Sequence, residues 1–183
     1  MKKLLLTSAI ILTATVFSFA QTGSGSAEVT LNVKLNPIQT IEINPATSNN
    51  IDLVYDSEAD YADGVEVDIP DHLVVYSTGG FAVRVKSESN DIQRAAGEET
   101  ISASTIKVQA SKGSTSPLAG ANYNNVSLST TETDLISSST GGANKTFNIK
   151  YAGIGNDGYL NKYFNDEDPT VYTTKVTYSI IAQ

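Results

Sequence analysis

No cysteine and no tryptophan occur in the 183 residues, and methionine and histidine occur once each. Without cysteine the chain cannot be stapled by disulfides, so packing and backbone hydrogen bonds must hold it together. The same absence excludes thiol nucleophiles, iron–sulfur clusters and thiolate zinc sites. One histidine, His72, is too few for a multi-histidine metal site within one chain. Basic residues are also scarce: 12 lysines and arginines face 20 acidic residues, for a net charge of −8. That balance repels nucleic acid and anionic lipid, so neither is an expected partner.

Long apolar runs are missing too, apart from one at the start. Lys2 and Lys3 precede an apolar stretch from Leu4 to Val16, and Ser18-Phe19-Ala20 stand ahead of Gln21. A charged start, a short apolar middle and small residues three and one positions before a cut predict a bacterial secretory signal peptide over residues 1–20. The stretch is interrupted by Thr7, Ser8, Thr13 and Thr15 and is shorter than the ~20 apolar residues of a membrane-spanning helix. No transmembrane segment is expected once it is removed. The expected location is the periplasm or cell surface of a Gram-negative bacterium, with a mature net charge of −10 because the signal carries two lysines and no acid.

What is abundant is period-two alternation. After a Gly/Ser leader over residues 21–26, Ala27, Val29, Leu31, Val33 and Leu35 fall on one face and Glu28, Thr30, Asn32 and Lys34 on the other. Such spacing fits a half-buried strand and is useless to a helix. Further strand candidates are Ile38 to Ile43, Ile51 to Tyr55, Val65 to Ile69, Leu73 to Tyr76 and Phe81 to Val85. Ile106 to Ala110, Val126 to Leu128, Phe147 to Tyr151 and Tyr172 to Ile181 complete the series. Turn signals separate them, among them Asp63-Gly64, Pro70-Asp71, Gly79-Gly80 and Asp157-Gly158. The expected fold is all-β, a single antiparallel β-sandwich over residues 27–183. Only Ser89 to Glu99 resembles a helix, and the Ser/Thr-rich stretch from Ser127 to Thr140 reads as loops and edge strands.

Four constellations invite a chemical reading. Asp56, Glu58, Asp60 and Asp63 place carboxylates along one loop in the manner of a calcium site, although Tyr61 stands where an EF-hand needs glycine. Asn165 to Asp168, ahead of Pro169, is a second acidic loop. Asp71-His72 has the composition of an acid/base pair, but neighbours on an extended chain point to opposite faces, so His72 is expected at a turn or strand edge. Tyr159 and Tyr163, among Asn156, Asp157, Asn161 and Asn165, are the best candidates for stacking on a surface glycan. No Gly-x-Ser-x-Gly elbow is present, and no pair of carboxylates stands out as a glycosidase or lyase pair. The chain is therefore expected to be non-catalytic and to lack a cofactor, a structural calcium ion excepted.

The closing run Tyr172-Thr173-Thr174-Lys175-Val176-Thr177-Tyr178-Ser179-Ile180-Ile181-Ala182-Gln183 resembles the last strand of secreted pilin-like subunits, including the spore-coat-protein-U and chaperone–usher pilin families. The opening segment with Leu31-Asn32-Val33 and Leu35-Asn36-Pro37 is similar to their first strand. The resemblance implies an immunoglobulin-like sandwich and a fimbrial or adhesive role. The disulfide usual in chaperone–usher pilins is missing here, and the Trp-x-Leu motifs of WxL-type cell-wall-binding domains cannot exist without tryptophan. An alternating strand on a flexible leader is suited to adding itself to a sheet edge, its own or that of a second copy. Self-association through Ala27 to Leu35 follows as an expectation.

Overall fold

Leucine, valine, isoleucine and phenylalanine at every second position become strands wherever a partner strand lies within reach of the same apolar layer. In the computed structural model, which describes residues 25–183, twelve strands follow from this rule among the described residues. They are β1 (Gln39–Ile43), β2 (Glu66–Ser77), β3 (Phe81–Ser87), β4 (Asp91–Arg94), β5 (Thr100–Ser102) and β6 (Ile106–Lys112). The rest are β7 (Asn122–Tyr123), β8 (Asn125–Ser127), β9 (Thr133–Ser138), β10 (Gly142–Gly153), β11 (Tyr172–Thr173) and β12 (Val176–Ala182). Among the described residues one short α-helix, α1 (Glu58–Asp63), precedes β2, and a single 3-10 turn, Ala103–Thr105, joins β5 to β6.

A five-stranded sheet in the order β1-β2-β10-β6-β8 packs on a four-stranded sheet in the order β12-β3-β9-β7, and every described pairing is antiparallel. The two share one core. Leu73, Val75, Val108, Phe147 and Ile149 come from the first sheet and Phe81, Val83, Val85, Leu135 and Ile136 from the second, all essentially buried. Phe81 and Phe147 meet edge to face across that layer, with centroids 6.3 Å apart. The protein is thus an all-β antiparallel sandwich. A small third sheet, β11-β4-β5, has its own ladder, and its Ile92 is buried in the same core.

Several elements differ from their sequence expectation. Ser89 to Glu99 is not helical: Ile92 is buried and pairs with Ile101, so a long-range β contact overrides a weak local helix pattern of polar residues. The helix forms instead at Glu58–Asp63, where Ser57 and Asp60 cap each other reciprocally. Ile51 and Leu53 pack on the core without joining a ladder. In the Ser/Thr-rich stretch β9 is an interior strand between β3 and β7 rather than an edge. The candidates Val65 to Ile69 and Leu73 to Tyr76 fall in one long strand, which begins at Glu66 and is bulged at Pro70-Asp71-His72.

Contacts divide the chain at Lys34/Leu35. The signal-peptide reading lies outside the described residues. Residues 25–34 make no strand: Val29, Leu31 and Val33 are 92%, 85% and 77% exposed. The best alternating pattern in the sequence is therefore the one without a partner strand.

Candidate functional site

Two regions draw in the residues singled out by sequence, and both depend on irregular backbone. The first is a groove of about 670 Å³ lined by Tyr55, Asp56, Ser57, Glu58, Tyr61, Ala62, Asp157, Leu160 and Tyr163. It forms because the segment after β10 folds against α1: Asn156 N–H donates to the Ala62 carbonyl at 2.7 Å and Asp157 N–H to the Tyr61 carbonyl at 2.9 Å. That approach needs Gly155, where a Cβ would sit 2.5 Å from the Asp63 carbonyl carbon. Tyr55 is the hub, tilted against Tyr61 at 5.4 Å and edge-on to Tyr159 at 5.1 Å. Its hydroxyl donates to the Ile154 carbonyl at 2.8 Å. Burial, with Tyr159 adding to it, pushes the Tyr55 hydroxyl up to about 12.

Of the two candidate tyrosines only Tyr163 is free to meet a ligand, being 52% exposed on the groove wall. Tyr159 is structural, since its hydroxyl is bonded to Thr105 at 2.6 Å and its ring stands behind Tyr55. Of the acidic set, Asp56 and Glu58 line the same groove, while Asp60 and Asp63 do not. The Asp60 carboxylate turns back to accept from Ser57 N–H at 2.8 Å and from the Ser57 hydroxyl at 2.7 Å. The Ser57 hydroxyl is the main influence holding it below the usual carboxylate range. Among the described residues no three histidine, cysteine or carboxylate side chains converge on a metal position, so Asp56, Glu58, Asp60 and Asp63 do not meet as a ligand set. In the second acidic loop Glu167 pairs with Arg94 at 3.2 Å, whose guanidinium lies 3.6 Å over the Phe164 ring.

The second region lies between the outer strands of the two main sheets. Among the described residues β1 pairs only with β2, and β12 only with β3. Between them runs a groove of about 250 Å³ lined by Ile41, Glu42, Ile43, Leu73, Val176, Thr177 and Tyr178. Its floor is organised by the bulge in β2. Ile149 pairs with Ile69 and Phe147 with Leu73, so three β2 residues stand opposite Asn148 alone. Asp71 takes a positive φ of 52°, and its N–H donates to Asn148 Oδ1 at 2.8 Å. Proline is excluded from the interior of a central strand except at such a bulge, which is the role of Pro70.

The bulge buries Asp71 and His72 in succession, correcting the expectation that His72 sits at a turn or strand edge. The Asp71 carboxylate ties down the loop after β6, accepting from Ser114 N–H at 2.6 Å, Thr115 N–H at 3.1 Å and the Thr115 hydroxyl. Burial pushes that carboxyl up, but bonds from Thr115, Thr146 and the two backbone N–H groups outweigh it and hold it below its ordinary value. His72, 2% exposed, turns elsewhere: Nδ1 is 3.0 Å from the Thr47 hydroxyl and Nε2 is 3.3 Å from the Tyr151 hydroxyl. The two residues do not form a dyad. No family model matches the chain, and no curated protein matches it either.

Proposed function

We propose that this protein is an exported, non-catalytic structural or adhesive subunit of the cell surface, pilin-like in kind, that associates by β-strand pairing. The observation that carries the reading is twofold: Val29, Leu31 and Val33 present an exposed apolar face, and two sheet edges lined by Ile41, Ile43, Val176 and Tyr178 have no outer partner strand among the described residues. A strand with a ready apolar face and no ladder, and edges with an apolar groove and no neighbour, are complementary needs. Burying each Val or Leu of that face contributes roughly 1.5–3 kcal/mol, enough to support association after the cost of ordering.

A second copy is the favoured acceptor. Ile38 is already laid beside β2, its N–H donating to the Thr78 hydroxyl at 3.0 Å and its carbonyl accepting from Thr78 N–H at 3.0 Å. Only Asn36-Pro37 would remain to reverse the chain onto β1. Two-residue hairpin loops need a positive φ at their first central position, and a residue before proline is held in extended conformations. Sedimentation of the mature protein against a variant lacking residues 21–35 tests the reading. Concentration-dependent association of the first and a folded, purely monomeric second is the expected pair of results. Loss of cooperative unfolding in the shortened variant at high dilution would mean pairing within one chain.

A second reading, a glycan- or calcium-dependent binding module, is favoured by the exposed Tyr163 ring in the acidic groove. A glycan array run with and without a chelator separates it from the first. Binding abolished by Tyr163→Ala would establish it, and an empty array would remove it.

A further inference from the structure

The hydrogen bonds around His72 have only one self-consistent direction. The Thr47 hydroxyl spends its single proton on the Asn44 carbonyl at 2.9 Å. The 3.0 Å contact with His72 must then be Nδ1–H donating to Thr47 Oγ1. In a neutral ring this leaves Nε2 as acceptor, so the Tyr151 hydroxyl donates to it, and the Tyr178 hydroxyl donates in turn to Tyr151 Oη at 2.7 Å. One unidirectional chain thus runs Tyr178, Tyr151, His72, Thr47, Asn44. It begins on β12, crosses β10 and β2, and ends where β1 ends, linking the two strands that wall the smaller groove.

We propose that this chain is an acid-sensitive latch on the edge groove, holding β1 and β12 in the arrangement that receives a strand and releasing it when His72 takes up a proton. The inference rests on the strand-pairing reading given above. Protonation from solvent would place N–H on Nε2, facing the Tyr151 hydroxyl proton. Tyr151 would have to turn its proton toward Tyr178, and the Tyr178 hydroxyl, which has no other partner among the described residues, would lose its acceptor. A buried donor without a partner is costly, as is an unpaired buried cation. The least obstructed relief is movement of β12, which among the described residues is held by a ladder on one side only.

Among the described residues nothing charged compensates. On β2 the Asp71 carboxylate is committed to Ser114 and Thr115. β10 and β12 present the neutral phenols Tyr151 and Tyr178, both raised by burial. On β1 Glu42 is exposed at the groove rim. Burial accordingly holds His72 below its ordinary value. The latch is therefore fully closed above about pH 6.5, the unfolded value, and weakens progressively as pH falls below it.

Because His72 is the only histidine, ring NMR on the mature protein reads the latch directly. The expected result is an Nδ1–H tautomer at pH 7.5, titration below 6.5, and β12 amide shifts that move with the same midpoint. Sedimentation over the same range should show association declining in step, with His72→Gln flat between pH 7 and 5. Titration at or above 6.5, an Nε2–H tautomer, or β12 shifts that ignore the ring would overturn the latch, whether or not the glutamine variant folds. An intact ring signature with no association at any pH would instead overturn the strand-pairing reading and leave the latch as a stability element.

Discussion

At the scale of single residues, the most consequential position is Asp71. Its positive φ, its N–H to Asn148 and its carboxylate on the loop after β6 create the bulge that turns His72 inward. Asp71→Ala would leave the Ser114 and Thr115 donors short of an acceptor and should destabilise by about 2–4 kcal/mol, read as a lower denaturation midpoint at unchanged m-value. The carboxyl is held low in the fold, so its contribution is present above about pH 3.9 and is lost as pH falls further. The alternation rule places neighbours on opposite faces, and by that rule His72 belongs to the surface. Pro70-Asp71 within a strand pattern was the readable warning of a bulge, but the number of extra residues is fixed by pairing with Asn148, which no local pattern shows.

At the scale of elements, strands with clear apolar alternation were legible in the sequence, whereas the Ser/Thr-rich interior strand β9 and the short capped helix were not. β3, β6 and β10 coincide with clear alternation because both sheets bury one face. The helix α1 was hidden because six residues carry too few turns for periodicity; its signal is the Ser57–Asp60 capping box. Ser57→Ala should cost about 1 kcal/mol and loosen α1. Gly155→Ala should do more to the groove, because its Cβ would press on the Asp63 and Ala62 backbone. Exposure of the Tyr55 ring as the groove opens, seen as a fall of the Tyr55 phenol from about 12 toward 10 in a spectrophotometric titration, is the expected readout. An unchanged titration would show that the turn after β10 does not depend on that close approach.

At the scale of the whole molecule, a disulfide-free core formed from both sheets should unfold in one cooperative step. Phe147, fully buried between the sheets, should cost about 3–5 kcal/mol when truncated to alanine. The candidate site was half legible: the sequence named Tyr163 and the acidic residues, and only folding brings Tyr163, Asp56 and Glu58 to one groove while turning Asp60 into a cap. Ala27 to Leu35 carried the clearest strand pattern, yet alternation specifies a face to be buried and says nothing of which sheet supplies the partner. The central claim is that this face is completed by the edge of another copy. Sedimentation equilibrium at neutral pH on residues 21–183, beside the variant that begins at residue 36, tests it most directly. The expected result is association that steepens with concentration for the longer chain and a folded monomer at every concentration for the shorter one. Identical behaviour of the two would contradict it.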